Sequence, residues 1–153
     1  MNLRRATTSD LDRLIALQRA AYARNRPILG VEPLPLLADY VEVFGTMEIW
    51  FAETEGQLVG ALILEQHADH LLIWSIATEP ALAGKGIGRE LLARADDRAR
   101  ELGLDTVRLY TGSKLGHLVA WYGRNGYAIE RVQELPDRSI TYMVKRLPKP
   151  VSN

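Results

Sequence analysis

Apolar and polar positions change period several times along this chain, and each change marks an element. Leu11, Leu14, Ile15, Leu17, Ala21 and Tyr22 keep to one helical face. Thr8 or Ser9 stands as its N-cap, Asp10 and Asp12 fall in the first turn, and the helix should end before Pro27. Asn2 to Ala6 is a short β segment before it. Asn25 to Pro35 holds three prolines and Gly30, which predicts a loop, and a second helix follows from about Leu36 to Phe44. Glu48 to Thr54 and Gln57 to Glu65 are β-prone runs around Glu55 and Gly56, a hairpin signal. A turn at His67 to His70 leads to a strand from Leu71 to Ala77, in which alternation puts Trp74 and Ile76 opposite Ile73 and Ser75. A third helix runs from about Ile87 to Leu102, with Ile87, Leu91, Leu92, Ala95, Ala99 and Leu102 as its buried stripe and Gly103 as its stop. A strand at Thr106 to Tyr110, a helix at Lys114 to Arg124, and strands at Tyr127 to Gln133 and Ser139 to Lys145 complete the order.

That pattern predicts an α/β (α+β) domain: a mixed, mostly antiparallel central sheet of about seven strands flanked by about four helices. With 153 residues, 47% of them hydrophobic, the chain suits one domain, residues 1–147, with a frayed tail at 148–153. Basic and acidic residues balance at 19 each, so no overall field draws the protein to nucleic acid. The chain has no Cys, which excludes disulfides, thiolate metal sites and a Cys nucleophile. Nothing approaches the roughly 18 apolar residues of a membrane span. The expectation is a soluble cytoplasmic protein with no metal.

The chemistry concentrates between Leu71 and Leu92. A strand there runs into Gly84, Gly86 and Gly88, and a helix begins at the last of them. Glycines allow positive φ and close approach, and the first N–H groups of a helix lack internal partners at its positive end. The stretch is an anion cradle. It is not a Walker loop, because Gly86 follows Lys85, and it is not a dinucleotide fingerprint, because Arg89 and Leu91 stand where the third glycine belongs.

Ala83, Gly84, Lys85, Gly86, Ile87 and Gly88 resemble motif A of the GCN5-related N-acetyltransferases (the GNAT family), with Ala83 where Gln or Arg is common. A second motif stands at the expected distance: Trp121 to Tyr127, WYGRNGY, resembles the family's aromatic-Tyr-x-x-x-Gly-aromatic signature. The neighbouring RLYTGSK is similar to a subgroup that often carries Asn where this chain has Leu118. The resemblance covers nearly the whole chain and implies the GNAT fold. It also implies that acetyl-CoA is co-substrate, its pyrophosphate held by the loop amides from Ala83 to Gly88, with Lys85 and Arg89 as further phosphate contacts. A bulge in the preceding strand would leave Ile76, Ala77 and Thr78 to pair with pantetheine through their backbone. Tyr122 would be the catalytic residue, donating its proton to the CoA sulfur.

The implied reaction is N-acetylation of a small-molecule or peptide amine by direct attack in a ternary complex. No base stands out. Ser75 occupies a position where the family often has an acid or amide, Glu65, His67, Asp69 and His70 read as a hairpin turn, and His117 reads as exposed. Arg24, Arg26, Glu32, Asp39 and Tyr40 fall in the acceptor region. Alternatives are a non-catalytic acyl-CoA-binding regulatory module and an interaction domain whose glycine loop is only a turn. A homodimer would form, as in many relatives, through a terminal strand carrying Ile140, Tyr142 and Val144.

Overall fold

A computed structural model describes residues 1–149. Seven strands form one sheet: β1 (Asn2–Arg5), β2 (Glu48–Thr54), β3 (Gln57–Gln66), β4 (Leu71–Thr78), β5 (Thr106–Gly112), β6 (Ala128–Glu134) and β7 (Ser139–Arg146), in the order β1-β2-β3-β4-β5-β7-β6. Among the described residues only β4 and β5 pair in parallel. Five helices accompany them: α1 (Leu11–Ala23), α2 (Arg26–Leu29), α3 (Tyr40–Thr46), α4 (Ile87–Glu101) and α5 (Gly116–Arg124). The expected sheet is present, and the fifth helix is the single turn α2. The proposed fraying of 148–153 falls largely on residues 150–153, outside those described.

The sheet separates two apolar layers. Leu14, Leu17 and Ala21 of α1 and Tyr40 and Val43 of α3 pack on Ile49, Phe51, Ala61 and Ile63. On the other face Leu91, Leu92, Ala95 and Ala99 of α4 pack on Leu62, Leu64, Leu71 and Val107. The alternation of β2 and β3 supplies both layers at once, as expected for strands covered on two sides.

Several boundaries differ from those predicted, each for a local reason. A 3-10 turn at Thr8–Asp10 precedes α1, and the Thr7 N–H donates to Asp10 Oδ2 at 3.0 Å, so the helix starts at Leu11. The proline-rich stretch still forms α2, because Pro27 falls in its first turn, where no internal N–H is needed. The expected helix at Leu36 to Phe44 is divided: a 3-10 turn covers Leu34–Leu37, Ala38 is extended, and Asp39 caps α3 by accepting from the Val41 and Glu42 amides. At the β2–β3 hairpin, Glu55 and Gly56 both take positive φ, 53° and 76°, as a two-residue turn matched to strand twist requires.

The expected alternation in β4 fails at one residue. Ile63 pairs with Ser75, but Leu64 pairs with Ile73, so Trp74 is an extra residue bulged out of the register. Ile73 therefore packs with the α4 layer, while Trp74 and Ser75 both serve the α1 side. The expected edge role of Ile140, Tyr142 and Val144 is also overturned. Strand β7 lies between β5 and β6, and the outer strand is β6, with Ile129 and Val132 exposed.

Candidate active site

Strands β4 and β5 pair only over Leu71–Ile73 and Val107–Leu109, then diverge. The bulge at Trp74 sits where they part and turns the second half of β4 away from its neighbour. Between the diverging ends opens a cavity of about 890 Å³. Every residue expected at the site lines it: Ile76, Ala77 and Thr78 from β4, Ala83, Gly84, Lys85, Gly86, Ile87, Gly88 and Arg89 from the loop and the start of α4, and Tyr122 from α5.

The loop has the conformation its glycines permit. Gly84 and Gly86 have φ of 81° and 83°, and Gly86 caps α4. The N–H groups of Ile87, Gly88 and Arg89 belong to the first turn of α4, where no carbonyl four residues earlier lies inside the helix. Gly60 lets that helix sit close: a Cβ there would meet Ile87 Cγ2 at 2.9 Å and the Ala77 carbonyl at 3.2 Å. Gly88 likewise lies under the Trp121 ring, where a Cβ would come within 3.0 Å. The cradle is thus fixed between β3 below and α5 beside it. Lys85 and Arg89 add positive charge at its rim, and the whole assembly suits a phosphate-bearing ligand.

Tyr122 is buried at 6% exposure, its ring 5.1 Å from that of Trp121 and 5.9 Å from that of Tyr127. Burial pushes its pKa well above the ordinary tyrosine value, and the nearby Tyr22 and Tyr127 act in the same direction. The phenol therefore holds its proton and is a donor. Among the described residues no side chain or carbonyl takes a hydrogen bond from it, although the residue lines the cavity. Leu118 also lines the cavity, so the Asn of the related subgroup has no polar counterpart there.

The structure joins Ser75 and Tyr40 to two groups, Gln18 and Tyr22, that the sequence did not single out for the site. Tyr22, at the end of α1, places its hydroxyl 2.8 Å from Ser75 Oγ and donates to the Ile76 carbonyl at 3.2 Å. Gln18 Nε2 donates to Ser75 Oγ at 2.9 Å and to the Tyr40 hydroxyl at 3.0 Å, and Tyr40 donates to the Pro35 carbonyl at 2.6 Å. Ser75 is thus buried in a network that ties α1 and the Pro33–Pro35 turn to the bulged strand, and it does not line the cavity. Leu29 of α2 fills the space above Gly112, since a Cβ there would lie 2.6 Å from Leu29 Cδ2. This contact lowers the α1–α3 segment over the end of β5. Tyr110 lines the same wall. The α1–α3 segment's traces in the sequence were its proline content and the acceptor role that the family resemblance implied for the region.

Other candidates fall elsewhere. Glu65 pairs with His67 at 2.6 Å and Asp69 with His70 at 2.7 Å, with the two imidazoles stacked 4.4 Å apart, and none of the four lines the cavity. Arg26 and Glu32 form an exposed ion pair. His117 is exposed and reaches the cavity wall, as does Arg24. Among the described residues, no group of three or more His, Asp or Glu is arranged to hold a metal ion.

Comparison with known proteins agrees with this geometry. A family model described as the acetyltransferase (GNAT) family matches residues 11–127. The uncharacterized N-acetyltransferase YvbK of Bacillus subtilis (strain 168) is 29% identical over 86 residues, 56% of this chain and 56% of its own. The amino-acid acetyltransferase of Pseudomonas putida is 29% identical over 142 residues, 88% of this chain and 29% of its own. The chain thus spans about half or less of the curated relatives it matches. Among solved structures, the PaiA N-acetyltransferase of Thermoplasma acidophilum in complex with coenzyme A superposes with a TM-score of 0.78 at 19% identity, over 95% of this chain and 98% of that one. The ribosomal-protein-S18-alanine N-acetyltransferase of Escherichia coli superposes with a TM-score of 0.76 at 16% identity, over 99% and 97%. At such identities the superpositions establish the fold. With the family match extending from α1 to Tyr127, across both motifs, the chain belongs to the GNAT family of acetyltransferases.

Proposed function

We propose that the chain is an acetyl-CoA-dependent N-acetyltransferase acting by direct attack in a ternary complex. The observation that carries this reading is the shared cavity: the glycine cradle, the diverging β4 backbone and the hydroxyl-bearing Tyr122 all line it. Bound there, acetyl-CoA would supply an activated thioester. The loop and first α4 amides, with Lys85 and Arg89, would hold its phosphates, and Ile76 to Thr78 would offer backbone groups to its amides. A neutral amine nitrogen attacks the acetyl carbon, the carbon–sulfur bond breaks, and Tyr122 gives its proton to the departing sulfur. The amine's own proton leaves through water: no carboxylate of the described residues lines the cavity, and the lining His117 is exposed.

That missing carboxylate is also what favours the second reading, a non-catalytic acyl-CoA-binding module. Steady-state acetylation of an amine panel by wild type and Tyr122→Phe separates the two. The enzyme reading expects turnover by the wild type and a loss in kcat of about 10²-fold in the variant, with acetyl-CoA affinity retained. Acetyl-CoA binding with no turnover of any amine supports the module. The reading also carries a cytoplasmic location and a homodimer, with the exposed outer strand β6 as its surface.

A further inference from the structure

The cavity's charge is one-sided. Its lining includes Arg24, Lys85, Arg89, Lys114, Arg124 and Arg138, and no Asp or Glu. Three of these belong to the cofactor end: Lys85 and Arg89 in the cradle, and Arg124 one turn beyond the Trp121 that packs on Gly88. The other three come from other elements: Arg24 from the end of α1, Lys114 from the β5–α5 loop and Arg138 from the β6–β7 turn. Arg24 follows the last turn of α1, close enough to Tyr22 to pull its hydroxyl's pKa down against the burial that raises it. Arg138 sits in the β6–β7 turn, beside Ser139, whose carbonyl accepts from the Ser113 N–H just past the end of β5.

The two arginines differ in how far the fold already engages them. Arg24 has no ion pair among the described residues. Arg138 forms an ion pair with Asp137 through Nε and Nη2, at 3.3 and 3.2 Å; that carboxylate does not line the cavity, and Nη1 makes no hydrogen bond among the described residues. The cavity wall also carries apolar and aromatic side chains, Leu29, Val31, Trp74 and Tyr22 among them. A polycationic acceptor would meet like charge with no compensating carboxylate, and a plain alkylamine would leave two arginines facing an uncharged ligand.

Resting on the acetyltransferase reading, we infer that the acceptor is an α-amino acid with a free carboxylate and an apolar side chain, its carboxylate recognised by Arg24 and Arg138. The aromatic and aliphatic wall takes the side chain, and the α-amine is left as the nucleophile. A guanidinium suits this task because its planar donors match a carboxylate.

The test measures kcat/KM for a panel of apolar L-amino acids, each against its own C-terminal amide, with spermidine as a polycation control. Wild type is compared with Arg24→Gln, Arg138→Gln and the double variant, and acetyl-CoA is titrated calorimetrically into each. The expected result is a preference for the acid over its amide of roughly tenfold or more. That preference should fall toward parity in the double variant, through KM rather than kcat, with acetyl-CoA affinity unchanged. Preference for the amides or for spermidine, an acid preference that survives both substitutions, or acetyl-CoA binding without acetylation of any amino acid would each overturn the inference. Turnover of amides alone would do so while leaving the acetyltransferase reading intact, whereas failure of the wild type to bind acetyl-CoA would remove that reading first.

Discussion

Tyr122 and Asp10 are both buried ionisable residues, and their surroundings drive them in opposite directions. Burial raises the pKa of Tyr122, and the proton is retained. An acetyl-transfer rate that depends on this donor should show no alkaline loss from Tyr122 through the ordinary tyrosine range near pH 10. An acidic limb that follows the acceptor's own amine pKa should accompany it, and a rate profile measured with two amines of different pKa checks both. Asp10 accepts from Arg4 at 2.9 and 3.0 Å and from the Thr7 N–H, and the Arg4 hydrogen bonds bring its pKa from 3.8 to about 2. Its folded pKa is depressed, so its contribution is complete above the unfolded value near 4 and is lost as pH falls toward 2. Urea unfolding of Asp10→Asn should show lower stability than wild type at neutral pH and a gap that narrows below pH 4. An equal gap across that range would contradict the assignment. The sequence offered Asp10 only as a first-turn acid, because its partners come from β1 (Arg4) and from the residue before the 3-10 turn (Thr7), a meeting no periodicity reports.

Between elements, the contact that decides the site is α4 against β3. Gly60 leaves no side chain under Ile87 and Leu91, so the helix's first turn reaches the opening of the sheet. Gly60→Ala would press on Ile87, Leu91 and the Ala77 backbone, and should destabilise the fold by about 1–3 kcal/mol while weakening cofactor affinity, both read by denaturant titration and calorimetry. A neutral substitution would show that α4 has room to move. Strand and helix types were legible here because their periods differ, and the cradle was legible because Gly84, Gly86 and Gly88 mark it in sequence. The bulge in β4 was implied by the family resemblance alone, and its place at Trp74 was not legible, since β-branched and aromatic residues suit a regular strand as well as a bulged one. The division of the second helix at Ala38 was similarly hidden: it follows from Asp39 turning its carboxylate onto the Val41 and Glu42 amides.

Across the whole molecule, two halves meet at the diverging strands. The N-terminal half supplies Tyr22 and the α1–α3 segment as one wall, and the C-terminal half supplies α4, α5 and the β6–β7 turn as the other. The order of elements foretold the sheet, but the wall around Tyr22 depends on Gln18, Ser75 and Tyr40 meeting across distant positions, which the order does not encode. No helix of the described residues is long and apolar enough to cross a membrane. The exposed β6 makes the oligomer a direct question for light scattering: twice the monomer mass supports the homodimer, and the monomer mass contradicts it. The central claim is that the glycine cradle between β4 and α4 holds acetyl-CoA. Calorimetric titration of acetyl-CoA into wild type and Gly86→Glu tests it most directly, because Glu adds negative charge and a side chain at a residue with φ of 83°. With both proteins folded by circular dichroism, saturable binding by the wild type that is lost in the variant is the expected result. No binding by the wild type, or equal binding by both, would contradict it.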